Sequence, residues 1–176
     1  VYHDEVYDSG LDVWAYDASI TVTDNRFSDG YWGVYVYASD ASIADNSFSA
    51  YSYAAIYVAG EGANSVTVER NTVADSIGYG MMASSADVEV SELEVRDGQT
   101  AHISYDYLYN GELLFSSSYD TSYDGIYLSS SRALLEDVLI DAPGGEGLSS
   151  YNSTVEMDDV TIRDAPGYGA YLYWYS

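Results

Sequence analysis

The sequence predicts an all-β fold: a parallel β-helix solenoid of about 7–8 coils, each of about 22 residues. Three observations carry this. One short unit recurs through the 176 residues. Within each unit apolar residues alternate with period 2 and are often β-branched, which is the pattern of strands. The breaks between units fall at Gly, Asp, Asn and Ser, and no stretch supports a helix of ten residues.

The first half of the unit is Gly, apolar, x, apolar. Gly33-Val34-Tyr35-Val36, Gly125-Ile126-Tyr127-Leu128 and Gly169-Ala170-Tyr171-Leu172 are its clearest copies. Looser copies start at Gly10, Ala55, Gly80 and Gly147, and His102-Ile103-Ser104-Tyr105 fills the remaining gap. The starts at 10, 33, 55, 80, 102, 125, 147 and 169 are 22–25 residues apart. The second half is a split apolar pattern: Val66 and Val68 followed by Asn71 and Val73, then Val88 and Val90 followed by Leu93 and Val95. The copy near Leu113–Phe115 is irregular and its register stays open. A coil of this size cannot bury its apolar side alone, so coils must stack. At about 4.8 Å per coil, seven coils make a rod of roughly 34 Å.

Ile43-Ala44-Asp45-Asn46-Ser47-Phe48, Val68-Glu69-Arg70-Asn71-Thr72-Val73 and the Gly-Ile-Tyr-Leu at 125–128 resemble the repeats of pectate-lyase-like proteins and of the NosD-type periplasmic family. That resemblance implies a right-handed parallel β-helix. It is nearly silent on function, because the fold hosts lyases, hydrolases, adhesins and inert spacers. The repeats run through 1–176 as a single domain. No polar cap shows at either end, so the chain is expected to be a segment of a longer protein.

Composition excludes several functions. The formal charge is −24, with 29 Asp+Glu against 5 arginines and no lysine. A nucleic-acid partner needs a basic footprint and is not expected. No apolar run is long enough to span a bilayer, so membrane insertion is not expected either. Cysteine is absent, which removes disulfides and thiol chemistry. Several lyases of the resembling family use a Lys/Arg pair, and without lysine that version of the mechanism falls away. Arg96 and Arg163 share a coil position, three coils apart in this register. His3 and His102 lie outside any Gly-His-Gly motif, and 19 Asp residues leave paired-carboxylate glycosidase chemistry unspecific.

Three columns stand out. Asn25, Asn46 and Asn71 share one coil position, later taken by Leu93, Val138 and Val160. The exchange with apolar residues points the column inward, as an asparagine ladder. Trp14, Tyr35, Tyr37 and Tyr57 fall on outward positions of the first strand and are the expected ligand-binding face. Tyrosine joins an apolar ring to a polar tip, which suits sugars or a protein partner. Stacked tyrosines that only stabilise the sheet are the alternative reading. Asp75 and Asp97 occupy matching turn positions one coil apart, with Asp164 further on. Stacked carboxylates repel unless a cation bridges them, and Ca2+ is the natural candidate. Solvated surface charge is the competing explanation.

These observations point to a non-catalytic structural or adhesive segment of a secreted or cell-surface protein. Its expected partners are a glycan or a surface protein, or another copy of itself through open coil ends. The alternatives are a polysaccharide-active lyase or glycosidase, and a self-assembling extracellular fibre subunit.

Overall fold

The computed structural model describes residues 5–7, 10–60, 65–109 and 112–174, with side chains for 10–60, 65–101 and 121–174. The strands form three parallel sheets that run the length of a solenoid, plus one antiparallel pair. The first sheet has seven strands: Leu11–Tyr16, Trp32–Tyr37, Ala54–Ala59, Tyr79–Ser84, Ile126–Ser129, Leu148–Tyr151 and Ala170–Tyr173. The second has six, from Ser19–Thr23 to Thr154–Asp158. The third has seven short strands, from Glu5–Tyr7 to Thr161–Arg163. Each coil contributes one strand to each sheet, and the stack makes about six turns. The fold class read from the repeats is therefore the one observed.

Period-2 alternation explains the core. In Trp32–Tyr37 and Asp87–Ser91 the inward residues Val34, Val36, Val88 and Val90 are buried. Each such side chain contributes about 1.5–3 kcal/mol through burial. Phe27 and Phe48 stack one coil apart, with ring centroids 5.1 Å apart and planes 17° from parallel. Gly33 is required by packing. A Cβ there would lie 2.4 Å from the Ala55 carbonyl oxygen and 3.0 Å from the Phe48 ring.

The corners explain the aspartates. Among the described residues seventeen non-glycine residues have positive φ, between 46° and 61°, and nine of them are Asp. They stand where the chain turns from one sheet to the next: Asp17 at the first corner, Asp24 and Asp45 at the second, Asp29, Asp75 and Asp97 at the third. A left-handed residue costs roughly 1–2 kcal/mol, and Asp and Asn tolerate it best because the short polar side chain bonds locally. Much of the acidic composition is thus a backbone requirement repeated coil after coil.

The asparagine ladder is present at the second corner. Asn25 Nδ2 donates to Asn46 Oδ1 at 3.0 Å, and Asn46 Nδ2 donates to Asn71 Oδ1 at 3.0 Å. The same two oxygens accept the backbone N–H groups of Asn25 and Asn46, both at 3.0 Å. All three side chains are buried. Serines do related work elsewhere: Ser131 Oγ accepts the N–H of Ala86 at 3.3 Å, and Ser153 Oγ accepts that of Ser131 at 3.0 Å.

The coil expected at His102–Tyr105 does not exist. Residues Ala101–Tyr109 and Glu112–Thr121 pair antiparallel with each other, His102 opposite Asp120 and Tyr107 opposite Phe115. The solenoid closes over this hairpin. Met81 pairs directly with Ile126, Val88 with Ala133, and Val95 with Ile140. The irregular copy at Leu113–Phe115 is the hairpin's second strand. Arg96 and Arg163 are consequently two coils apart, with Asp141 between them.

Candidate functional site

The first sheet is uncharged on its outer surface. Across its seven strands the only charged residue is Asp12, and Asp12 faces inward. It occupies the position that Gly33 holds in the next coil, as the pairs Leu11–Trp32 and Val13–Val34 show. There its carboxylate accepts the hydroxyl of the fully buried Tyr51. Desolvation, followed by the Asp12 bond, holds the Tyr51 phenol well above its ordinary pKa.

The repeat starts at Gly10 and Gly33 set Trp14 level with Tyr37, and the observed register corrects that by two residues. Trp14 stands opposite Tyr35, and Tyr16 opposite Tyr37. Tyr35 continues to Tyr57 and Tyr57 to Met82. The four expected residues do share one surface, Trp14, Tyr35 and Tyr57 in one column and Tyr37 in the next. Trp14 is 64% exposed and Tyr37 38%, whereas Tyr35 and Tyr57 are half-buried. Burial raises the phenol pKa values of Tyr35 and Tyr57, with neighbouring tyrosines adding to the effect.

Two members of the face escaped the sequence reading. Trp32 lies 5.2 Å from Tyr35 and 4.9 Å from Tyr57, centroid to centroid. Tyr16 is 63% exposed and stacks on Tyr37 at 5.4 Å. Trp32 directly precedes the repeat glycine, a position whose outward direction was available once the glycine was seen to face inward. Leu11, Trp14, Tyr16, Trp32, Tyr35 and Tyr37 together line an apolar groove of about 370 Å³. From there rings touch along the rest of the sheet: Trp32 to Tyr53 at 4.4 Å, Tyr79 to Tyr127 at 5.2 Å, Tyr127 to Tyr151 at 5.5 Å, Tyr151 to Tyr171 at 5.9 Å.

One carboxyl pair borders this strip. Asp124 bonds to the Glu146 side chain one coil on, and its Oδ1 accepts the Glu146 N–H at 3.0 Å. Burial, then the Glu146 bond, pushes the Asp124 pKa up to about 6. The contact is closer than the about 5–9.5 Å that separates glycosidase carboxylates. It suits a shared proton better than acid–base work on a sugar.

Asp75 and Asp97 are at the third corner of adjacent coils, both in the left-handed conformation, with φ of 54°. Among the described residues no group of three or more His, Cys, Asp or Glu is placed to hold a metal ion. The other sheets carry the charge. The second has a groove of about 330 Å³ lined by Asp87, Glu89, Arg132 and Glu156 among others. Arginines pair from coil to coil: Arg70 with Asp45 at 2.7 and 3.0 Å, Arg163 with Asp141 at 2.6 Å. The Arg70 and Arg163 guanidiniums hold those two carboxyls below their usual pKa. His102 is in the hairpin strand Ala101–Tyr109, and its side chain lies outside the described residues.

Residues 32–176 match the family model described as right handed beta helix region. No curated protein matches the chain. The match covers most of the chain and agrees with the parallel stack of three-strand coils, and the chain belongs to the right-handed β-helix family.

Proposed function

We propose that this chain is a non-catalytic β-helix module of a secreted or cell-surface protein, and that the aromatic face of its first sheet is the contact surface for a glycan. The observation that carries the reading is the charge map. In a chain of formal charge −24, seven stacked strands present no outward charge and a continuous strip of Tyr and Trp. Tyr and Trp supply apolar ring surface with a polar tip, which matches the mixed C–H and hydroxyl surface of a sugar. A negatively charged polymer would be repelled by the acidic flanks, so the favoured glycan is uncharged. A second copy of the chain meets the same repulsion.

Intrinsic fluorescence tests this directly, because two of the three tryptophans line the groove. Titration with a panel of neutral polysaccharides is expected to shift or quench the emission saturably. Replacing Trp14, Tyr35, Tyr37 and Tyr57 with Ser should abolish that response while the far-ultraviolet β signature persists. Silence of the parent chain across the panel would sink the glycan reading. Release of reducing ends in the same mixtures would replace it with the glycan-cleaving alternative.

A further inference from the structure

The tyrosine-rich strip contains one pair whose geometry suits covalent chemistry. Tyr16 and Tyr37 stand directly opposite each other in adjacent strands of the first sheet. Their rings are 5.4 Å apart and within 4° of parallel. Both are exposed, at 63% and 38%, so a diffusing oxidant reaches both. Side chains that leave paired strand positions in parallel bring like ring edges alongside each other. The other cross-coil pairs lack one of these features. Tyr35 and Tyr57 meet edge to face at 73°, and both are half-buried. Tyr127 and Tyr151 are tilted by 36°. Tyr171 and Tyr173 are parallel but belong to one strand, 6.4 Å apart. The chain has no cysteine, so no thiol intercepts a tyrosyl radical and no disulfide ties one coil to the next.

We propose that Tyr16 and Tyr37 form an oxidative coupling site, at which peroxide-driven one-electron oxidation joins the two rings as dityrosine and staples the first two described coils of the first sheet. Each phenol loses one electron and one proton to give a phenoxyl radical. The two radicals combine, forming a carbon–carbon bond between positions ortho to the hydroxyls. The two ring protons then move to oxygen and restore both aromatic systems. The protein loses two hydrogens in all, and one hydrogen peroxide is reduced to two waters. The rings must close slightly and turn about their side-chain torsions, which the open face allows.

The test uses the whole chain, dilute, with a heme peroxidase and limiting hydrogen peroxide, followed by cleavage after arginine. Tyr16 is in fragment 1–26 and Tyr37 in fragment 27–70. The Tyr31–Tyr53 pair, also stacked, is confined to the second fragment and cannot join the two. The expected result is blue dityrosine fluorescence in a chain of monomer mass, less two hydrogens, with fragments 1–26 and 27–70 joined. Tyr16→Phe and Tyr37→Phe, which keep the ring and remove the phenol, should each reduce the joined product to background. Tyr35→Phe should leave it unchanged. The proposal is overturned if the fragments are not joined in the parent chain, if they are joined equally in Tyr37→Phe, or if coupling occurs only between molecules.

Discussion

At the scale of single residues, this solenoid is governed by what its corners and its core demand of polar side chains. Asn46 is the clearest case. It accepts two hydrogen bonds from Asn25 and donates to the carbonyls of Val22 and Ala44 at 2.9 and 2.8 Å. The same column carries Leu93, Val138 and Val160 in later coils, so an apolar residue fits the space. A lone Asn46→Leu change would nevertheless strand the Asn25 N–H groups in the core. Leaving buried donors unmet costs about 1–3 kcal/mol each, far more than exchanging a whole bonded pair for apolar groups. The expected loss is about 2–4 kcal/mol in urea unfolding, and an unchanged midpoint would show that the ladder contributes nothing. Asp124 makes a pH prediction of known sign. Its folded pKa is raised from 3.8 to about 6, so between those values the folded chain holds a proton that the unfolded chain has released. Stability contributed by this group is complete below about 4 and is lost as pH rises to about 6. Asp124→Asn keeps the oxygen that accepts the Glu146 N–H and removes the titration. Relative to the parent, the variant should gain stability as pH rises through that window, and parallel pH profiles would refute the assignment.

At the scale of elements, the sequence disclosed the coils and concealed their exceptions, for identifiable reasons. Strand alternation, the repeat glycine and the asparagine column each impose a local demand every coil, so they are visible in one chain. The hairpin at Ala101–Thr121 is concealed because Gly80 and Gly125 are separated by very nearly two repeat lengths. Spacing alone therefore invites a full coil between them. The sequence signal that marks it is the Asn110-Gly111 dipeptide between two alternating runs, the strongest short-range sign of a two-residue hairpin. The two-residue slip in the first coil has a similar origin. Gly10 resembles the repeat glycine, but Asp12 fills that place because the Tyr51 hydroxyl is there to meet it. Trp14 and Tyr37 were legible as outward; their neighbours depended on register, which a single Gly cannot fix. The hairpin also yields a prediction. Because the strands Tyr79–Ser84 and Ile126–Ser129 already pair across it, it is an excursion and not a rung. Replacing residues 101–121 with a short Gly-Ser linker should preserve cooperative unfolding and keep the melting temperature within a few degrees, since loop length alters closure entropy only slowly. Loss of cooperative unfolding would mean that the hairpin supports the stack.

At the scale of the whole molecule, charge is segregated by face. The first sheet is neutral outside, while the second and third sheets and the corners carry the acids. Some of those acids stack on one another from coil to coil, as Glu136 does on Asp158, which places like charges within one strand spacing of each other, about 4.8 Å; others face neutral or basic residues, as Asp87 faces Ser65 and Arg132. The arginine pairs offset only part of this. Arg70–Asp45 and Arg132–Asp87 are exposed on both sides, and such solvent-screened pairs add little to stability. Added salt therefore has two opposed effects: it weakens a few ion pairs and it screens the mutual repulsion of a chain with formal charge −24. The second should win, because 29 acidic residues stand against five arginines, and the screening length falls from roughly 10 Å near 0.1 M to about 3 Å near 1 M. The melting temperature is accordingly expected to rise with sodium chloride over that range. The rise should be larger at pH 7 than near pH 4, where the carboxylates begin to neutralise. A melting temperature that falls with salt at pH 7 would mean that the few arginine bridges outweigh the acidic repulsion, and that the acidic corners coexist without appreciable strain.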